Sequence, residues 1–466
     1  MAALSFSGIA SGIDSQSIID SSIASARLAR VAPSQRKVGE LEETNTALET
    51  LGQKLDALRT TLQQFTALSG GGVSKTGSSS KESVVGATTS NAATNGSYDV
   101  TVNNLAKNHT YSFDQTYSSS TSPLQGTLTG GEAAADRTVT FTVGTGTNQE
   151  TVSVVVTDGS YTISQFVSDF NASATKAEAS LVNVGTEASP SYKIVISGSY
   201  EGTEKGTIAR TSLGAALTNL TPYSESAASN SSISISGIGT ITRSTNSISD
   251  VIPGVTLSLA SAGTATVKIA EDAAVTTAKM QDFVTAFNDV VKFINENNVV
   301  TRDESGSEVK NTFAPLAATR TDDTALQALR AQLSSTTASG GSLIRVFSDL
   351  GITTERDGTI KFDTTKLQQA LSSEPGSVNS IIQTFADSVA LTGGVVDRYT
   401  RYSGLLDISI NNNKSLISDL NRRISDAEKG IQRMADGLKE RYARLEGLMS
   451  RLQQQQNSLS GALGSK

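Results

Sequence analysis

Apolar residues recur along this chain at two different periods, and the change of period divides it. Near the C-terminus Ile417, Ile424, Ile431, Leu438, Leu445, Leu452 and Leu459 stand seven residues apart. Three residues after each of the first six come Leu420, Ala427, Met434, Arg441, Leu448 and Gln455. Steps of three and four define the a/d stripe of a coiled-coil helix, here with two polar d positions. The spacing predicts one long helix over 404–460, whose heptad part would measure roughly 70 Å. The N-terminal region carries a second stripe, with Leu41, Leu48, Leu55 and Leu62 at one position and Thr44, Leu51, Leu58 and Phe65 at the other. That helix, over 34–68, would measure roughly 50 Å. A shorter amphipathic piece precedes it, with Ile18, Ile19, Ile23 and Ala26 on one side and Asp14 placed to cap it. Pro33 separates the two pieces, because proline fits a first helical turn but not an interior. Stripes at opposite ends of a chain can supply each other's partner, within one molecule or between copies.

Between the stripes the period falls to two. Segments 98–102, 139–143, 152–156, 192–196, 233–235, 255–259 and 265–269 alternate as half-buried strands do. One short helix interrupts them, with Ile163, Phe166, Val167 and Phe170 on one face. Helical periodicity returns over 272–298, through Met280, Phe283, Val284, Phe287, Val291 and Ile294, and again near 322–337. Asp357-Gly358 between two extended runs predicts a hairpin. Asp363 then caps a helix through Leu367 and Leu371 that stops near Glu374-Pro375.

The expected fold class is α+β and multidomain: terminal coiled-coil helices and a helical domain carrying two inserted β-rich domains. Residues 1–40 and 440–466 are expected as flexible terminal leg segments. Residues 41–70 and 272–439 form the helical domain, 75–111 and 231–271 an inner β domain, and 112–230 an outer inserted one. A Gly/Ser-rich stretch over 69–80 reads as the linker out of the first helix. Gly430, Gly437 and Gly447 lie inside the last helix, each costing about 1 kcal/mol relative to Ala. They fit either close approach by a neighbouring backbone or a helix kept marginal until assembly.

Composition narrows the chemistry. The 466 residues carry 38 Lys+Arg against 45 Asp+Glu, a net charge of −7, which disfavours a general nucleic-acid binder. There is no Cys and a single His, so thiolate metal sites, disulfides, Cys nucleophiles and multi-His metal centres are all excluded. No apolar run approaches the roughly 18 residues of a membrane span, and the N-terminus lacks a signal-peptide pattern. His109 is a candidate base but is expected to be exposed or hydrogen-bonded on a strand. Asp322-Asp323 suits a helix first turn better than a cation site, and Glu42-Glu43 a solvated helix face. The acidic run 303–308 lacks calcium-loop spacing, and Gly144-Thr145-Gly146 lacks a phosphate-binding helix. No catalytic constellation, cofactor site or metal site emerges.

Four stretches taken together resemble one known family. They are the run 7–14 before the Ile-rich helix, the run 250–259 leading to the helix at Met280, the runs 349–352 and 357–363, and Gly404-Leu405-Leu406-Asp407 with the long last helix. Their order and spacing resemble the flagellar hook-associated protein 2, or filament-capping, family. Arg27-Leu28-Ala29-Arg30 departs from it, since the family often has an acidic residue before the proline. The region 112–230 carries no family-wide motif. The resemblance implies a non-enzymatic ring-shaped homo-oligomer, a pentamer, at the growing filament tip. It implies flagellin, the hook–filament junction proteins and a flagellar export chaperone as partners, with no nucleic acid and no membrane insertion. It also implies export by the flagellar type III system. Its β domains would form a plate, and its terminal helices would act as legs, mobile in the free monomer, that exchange partners at the filament end. Another flagellar axial protein, flagellin-like or from the hook–filament junction, is the nearest alternative. A surface adhesin is a more distant one.

Overall fold

Asp14 accepts a hydrogen bond from Ser17 N and so caps the first helix, α1 (Ser15–Arg30). α2 (Ala32–Gln63) follows at once, with Pro33 in its first turn, where no backbone donor is lost. A computed structural model describes residues 14–303, 310–338 and 342–463 of the chain, so most of the 303–308 run and of the 7–14 run lies outside the described residues. The chain divides into two units, Met1–Ala67 with Thr277–Lys466, and Leu68–Thr276.

The second unit is antiparallel β with two separate cores. Its strands are β1 (Lys75–Ser79), β2 (Val85–Thr89), β3 (Gly96–Asn104), β4 (Thr110–Phe113), β5 (Thr138–Val143) and β6 (Glu150–Val155), then helix α3 (Ile163–Ser173). After these come β7 (Ala177–Asn183), β8 (Tyr192–Gly198), the single turn α4 (Thr203–Gly206), β9 (Ile208–Leu213) and β10 (Tyr223–Ser226). The last are β11 (Ser231–Ile235), β12 (Gly239–Arg243), β13 (Ser247–Ile248), β14 (Val255–Leu259) and β15 (Gly263–Glu271). A five-stranded sheet, β1-β15-β3-β11-β12, and a three-stranded one, β13-β14-β2, enclose a core of aliphatic residues including Val85, Val100, Ile233, Leu257 and Val267. The chain leaves this body after β3 and returns at β11. Between them a four-stranded sheet, β10-β4-β8-β7, and a three-stranded one, β6-β5-β9, pack with α3 around Phe113, Phe141, Phe166 and Phe170. Those rings meet mostly edge to face, as aromatic quadrupoles favour. α3 starts in a capping box: Thr162 Oγ1 accepts from Gln165 N while Thr162 N donates to Gln165 Oε1.

Alternation does not announce every strand. β4 and β10 are four residues each, and β7, β9 and β12 interleave Thr, Ser, Glu or Arg on faces that stay partly solvated. Their pairing is imposed by neighbours rather than by their own pattern.

The first unit is helical. α5 (Ala273–Asn297) leads into the hairpin β16 (Val300–Asp303) and β17 (Lys310–Phe313), then α6 (Thr321–Ser335). β18 (Ile352–Thr354) and β19 (Ile360–Phe362) precede α7 (Thr364–Ser373), α8 (Pro375–Ala390), α9 (Val395–Thr400) and α10 (Leu405–Leu463). Asp363 caps α7 by accepting from Thr365 N and Lys366 N. Pro375 ends that run by standing in the first turn of a further helix, α8, which the sequence pattern had not separated. The turn between β18 and β19 is wider than a two-residue Asp-Gly loop. Gly358 N donates to Glu355 O, which puts Asp357-Gly358 at the third and fourth turn positions. Gly358 has φ +86, a conformation that strains any residue with a Cβ, and a Cβ there would also displace the Arg330 guanidinium.

The helical core gathers Leu48, Leu51, Leu55 and Leu58 of α2 with Phe283, Phe287, Phe347 and Phe385, all buried. Phe385 contacts both Phe283 and Phe347 edge to face. Arg59 ties α2 to the far side: its Nε donates to Ala390 O, and its Nη1 lies 3.6 Å from Asp397 Oδ1. Phe385→Ala is expected to destabilise this unit by about 3–5 kcal/mol, read from denaturant-induced loss of its helical circular dichroism.

Candidate functional site

The two terminal stripes meet within one chain. Leu406 Cδ1 lies 3.5 Å from where a Cβ on Gly52 would be, Asn413 Nδ2 donates to Asn45 Oδ1, and Arg27 grips Glu428. Each step toward the N-terminus along α2 and α1 is therefore matched by a step toward the C-terminus along α10. The pairing is antiparallel and continues through the α1–α2 junction, where Val31 is buried. Arg27 donates from both Nε and Nη2 to the Glu428 carboxylate, a fork that fixes register more than it stabilises, because Arg27 is exposed and Glu428 only half-buried. Arg27 belongs to the run that departs from the family pattern, and its partner is this acidic residue on α10.

The predicted stripe residues occupy three environments. Leu41, Leu48, Leu51, Leu55, Leu58, Leu62 and Phe65 are all buried, and α2 packs against α8 and α9 as well as α10. They are core residues of the helical unit and face several helices at once. On α10, Ile431 is 1% exposed, while Ile417, Leu420, Ile424, Met434 and Leu438 are half-buried, as expected of a two-helix contact open on its flanks. Beyond them Leu445, Leu448, Leu452 and Leu459 are 43%, 61%, 56% and 61% exposed. The stripe thus passes from sealed to bare along one helix. The change comes where α10 runs past the start of α1.

Ala435 is buried beside Ile431, and sequence periodicity alone did not single it out. Its signal is size: a small residue four positions after a buried Ile lets the helices approach. A groove of about 370 Å³ lies between α1 and α10, lined by Asp20, Ile23, Ala24, Arg27, Glu428, Ile431 and Gln432. A Cβ on Gly430, Gly437 or Gly447 would meet nothing within 4 Å, so no described backbone approaches them. Within this chain their effect is on helix propensity alone.

Isolated polar candidates resolve differently. His109 is neither exposed nor hydrogen-bonded, contrary to the expectation from sequence. It is 4% exposed, neither ring nitrogen has a hydrogen-bond partner among the described residues, and Nε2 lies 3.5 Å from Glu225 Oε2. It immediately precedes β4, whose Tyr111 belongs to the aromatic core and pairs in register with Glu225 of β10. Burial lowers its pKa below the ordinary 6.5, and the Glu225 carboxylate opposes that shift without reversing it. Asp322 sits in the first turn of α6, buried, accepting from Thr319 Oγ1, with burial raising its pKa. Glu42 and Glu43 lie on the solvated face of α2. Gly144 and Gly146 have φ +79 and +59 and form a turn after β5. Among the described residues no group of three His, Cys, Asp or Glu side chains is placed to hold a metal ion, and no helix is long and apolar enough to cross a membrane.

Comparison with known proteins agrees with this geometry. A family model described as "Flagellar hook-associated protein 2 C-terminus" matches residues 228–454, and one described as "Flagellar hook-associated protein 2 N-terminus" matches 11–109. The span between them holds the aromatic β core. The chain is 26% identical to the B-type flagellar hook-associated protein 2 of Pseudomonas aeruginosa over 468 residues, covering 93% of each. It is 23% identical to the flagellar hook-associated protein 2 of Escherichia coli, covering 97% of this chain and 96% of that one. Its fold is similar to a crystal structure of the flagellar cap protein of Escherichia coli, with a TM-score of 0.59, 20% identity, and coverage of 79% of this chain and 99% of that one.

The burial gradient predicts unequal costs along one stripe. Leu51→Ala is expected to destabilise the helical unit by about 2–5 kcal/mol, whereas Leu448→Ala should stay within about 0.5 kcal/mol, both by denaturant titration. His109 sets a pH dependence. Its folded-state pKa lies below the unfolded value, so the unfolded chain takes up the proton first, and stability falls as pH drops through about 6.5. Amide exchange across β4 and β10 is expected to accelerate on acidification through that range. His109→Phe should abolish the dependence.

Proposed function

The chain belongs to the flagellar hook-associated protein 2 family, the structural caps of flagellar filament tips, and on that premise we propose how its terminal helices serve the cap. It is an extracellular component of the flagellum, and its work is steric rather than chemical. Copies of the chain form a closed ring at the distal end, pentameric by the family expectation. The β domains make up the plate, and the paired helices project as legs toward the filament. Flagellin arriving at the tip is retained beneath the plate, folds there and joins the filament. The hook–filament junction proteins and an export chaperone are the remaining partners.

The observation that carries this reading is the bare half of the α10 stripe. Leu445, Leu448, Leu452 and Leu459 continue a heptad whose earlier positions are buried or half-buried, yet no described part of the chain covers them. Such a row on a helix weakened by Gly437 and Gly447 suits contacts that must be made and broken repeatedly. A ring and a helical filament differ in symmetry, so each leg meets several environments in turn. Apolar contact is non-directional and tolerates those differences better than a fixed hydrogen-bond set. Coupling of folding to docking would also lower the affinity per contact and ease release.

The alternative of another axial protein makes a different prediction for the purified chain, because a flagellin polymerises and a cap does not. Ending the chain after Glu440 tests the leg directly. It removes the exposed stripe but no buried residue among the described ones, so the body should keep its melting temperature. Cells making the truncated protein are expected to secrete unpolymerised flagellin and lose motility. Electron microscopy of the full chain should show rings. Normal filaments on the truncated strain, or long filaments from the purified chain, would overturn the proposal.

A further inference from the structure

One polar triad in the β unit exceeds what its fold requires. Lys75 opens β1 and Glu271 closes β15, and the two are direct register partners. Asn95 stands immediately before β3, whose first residue Gly96 pairs with Ile269 on the other side of β15. Lys75 Nζ lies 2.8 Å from Asn95 Oδ1 and 3.1 Å from Glu271 Oε1. Asn95 Nδ2 donates to that same Glu271 Oε1 at 2.5 Å. A single carboxylate oxygen therefore bridges an amine and the nitrogen of the carboxamide that the amine touches. An ion pair alone would need only Lys75 and Glu271. The third residue sets an electrophilic carbon beside a nucleophile, with an acid–base group in contact with both the attacking and the leaving nitrogen.

We propose that Lys75 and Asn95 join in an intramolecular isopeptide bond, with Glu271 relaying the protons. Glu271 Oε1 first takes a proton from Lys75 Nζ, which leaves a neutral amine. Nζ then bonds to Asn95 Cγ, and the carbonyl electron pair moves onto Oδ1. When that pair returns, the bond from Cγ to Nδ2 breaks. Glu271 passes its proton to Nδ2, which departs as ammonia. Nζ releases a second proton, relayed through the same carboxylate, and the ammonia carries it off as ammonium. Lys75 and Asn95 end as one secondary amide, Glu271 is again a carboxylate, and no oxidant or cofactor is consumed.

The environment sets the pace. The Lys75 and Glu271 side chains are 16% and 21% exposed, which partly excludes water, while Asn95 faces outward and gives ammonia an exit. Burial pushes the Glu271 carboxyl up, but hydrogen bonds from Asn95 and Lys75 together outweigh it and hold the group below its usual range. Glu271 thus rests as a carboxylate in contact with both nitrogens. Bond formation is slow, accumulates with age and quickens as pH rises. The product would link β1 to β3 across β15, next to Asp272, where the sheet gives way to α5. A chain with no Cys has no disulfide to tie strands together, and this bond would supply the covalent tie.

The rival reaction is attack on Asn95 by Gly96 N, which forms a succinimide and also expels ammonia. Both products lie about 17 Da below the starting chain, so intact mass alone does not separate them. The test is peptide mapping of the full-length protein after ageing at mildly alkaline pH. The proposal expects the Lys75 and Asn95 peptides to be recovered as one branched species that has lost ammonia. That species should disappear in Lys75→Arg and in Glu271→Gln, each checked for an unchanged melting profile. Recovery of only the two linear peptides from aged wild-type protein would overturn it, independently of how the variants fold. So would an ammonia loss confined to a linear Asn95 peptide, with no branched species beside it.

Discussion

The contact on which the rest of this molecule depends is the antiparallel pairing of its two ends. Asn45 and Asn413 touch although 368 residues separate them in sequence. Closing a flexible loop of that length costs about 5 kcal/mol in chain entropy, before any constant term. The apolar seam of α2 and α10 must offset that cost, and the buried rows of Leu48, Leu51, Leu55 and Leu58 are placed to do so. The loop is also shortened from within. Residues 68–276 fold as a unit of their own, so the helices close a gap far shorter than the sequence suggests. Insertion of β domains between pairing helices is tolerable because each insert brings its own core.

Within the pair, helix α10 does two jobs in succession. Over its first half it is a core element, with Leu406, Ile410, Ile431 and Ala435 buried. Over its last part it carries the same apolar period with nothing described against it. The heptad alone does not distinguish these halves. What distinguishes them is where α1 begins, since α10 outruns its partner. The Arg27–Glu428 fork pins the register and so determines which leucines are left bare.

Much of this architecture was legible in the residues because strong periodicity survives any context. The helices at both ends, the helix at Met280, α3, α6 and the cap at Asp363 all follow from spacing and end signals. The longer strands β3, β5, β8 and β14 follow from alternation. Legibility failed where tertiary neighbours decide. β4 and β10 are too short to carry a pattern, and α8 was hidden behind a proline that could equally end one helix or start the next. His109 lies just before β4, in a loop with no alternation to assign an inward side, so its burial does not follow from the pattern. The stripe residues were found as a set, but their division among core, half-open contact and bare surface depended on a register that no single stretch of sequence contains. The triad of Lys75, Asn95 and Glu271 was invisible for the same reason, as its members come from three separate places in the chain.

The antiparallel pairing also imposes an order in time. The antiparallel register through Arg27 and Glu428 runs the start of α1 toward the distal third of α10, so the two sit at the same end of the pair. A chain delivered from its N-terminus, whether by a ribosome or through a pore, offers α1 first and the matching stretch of α10 last. The first helix must wait, unpaired, for almost the whole chain to follow. The β unit, whose contacts are complete by residue 276, can fold during that interval. The pair then closes around parts already formed, and its final turns set last of all.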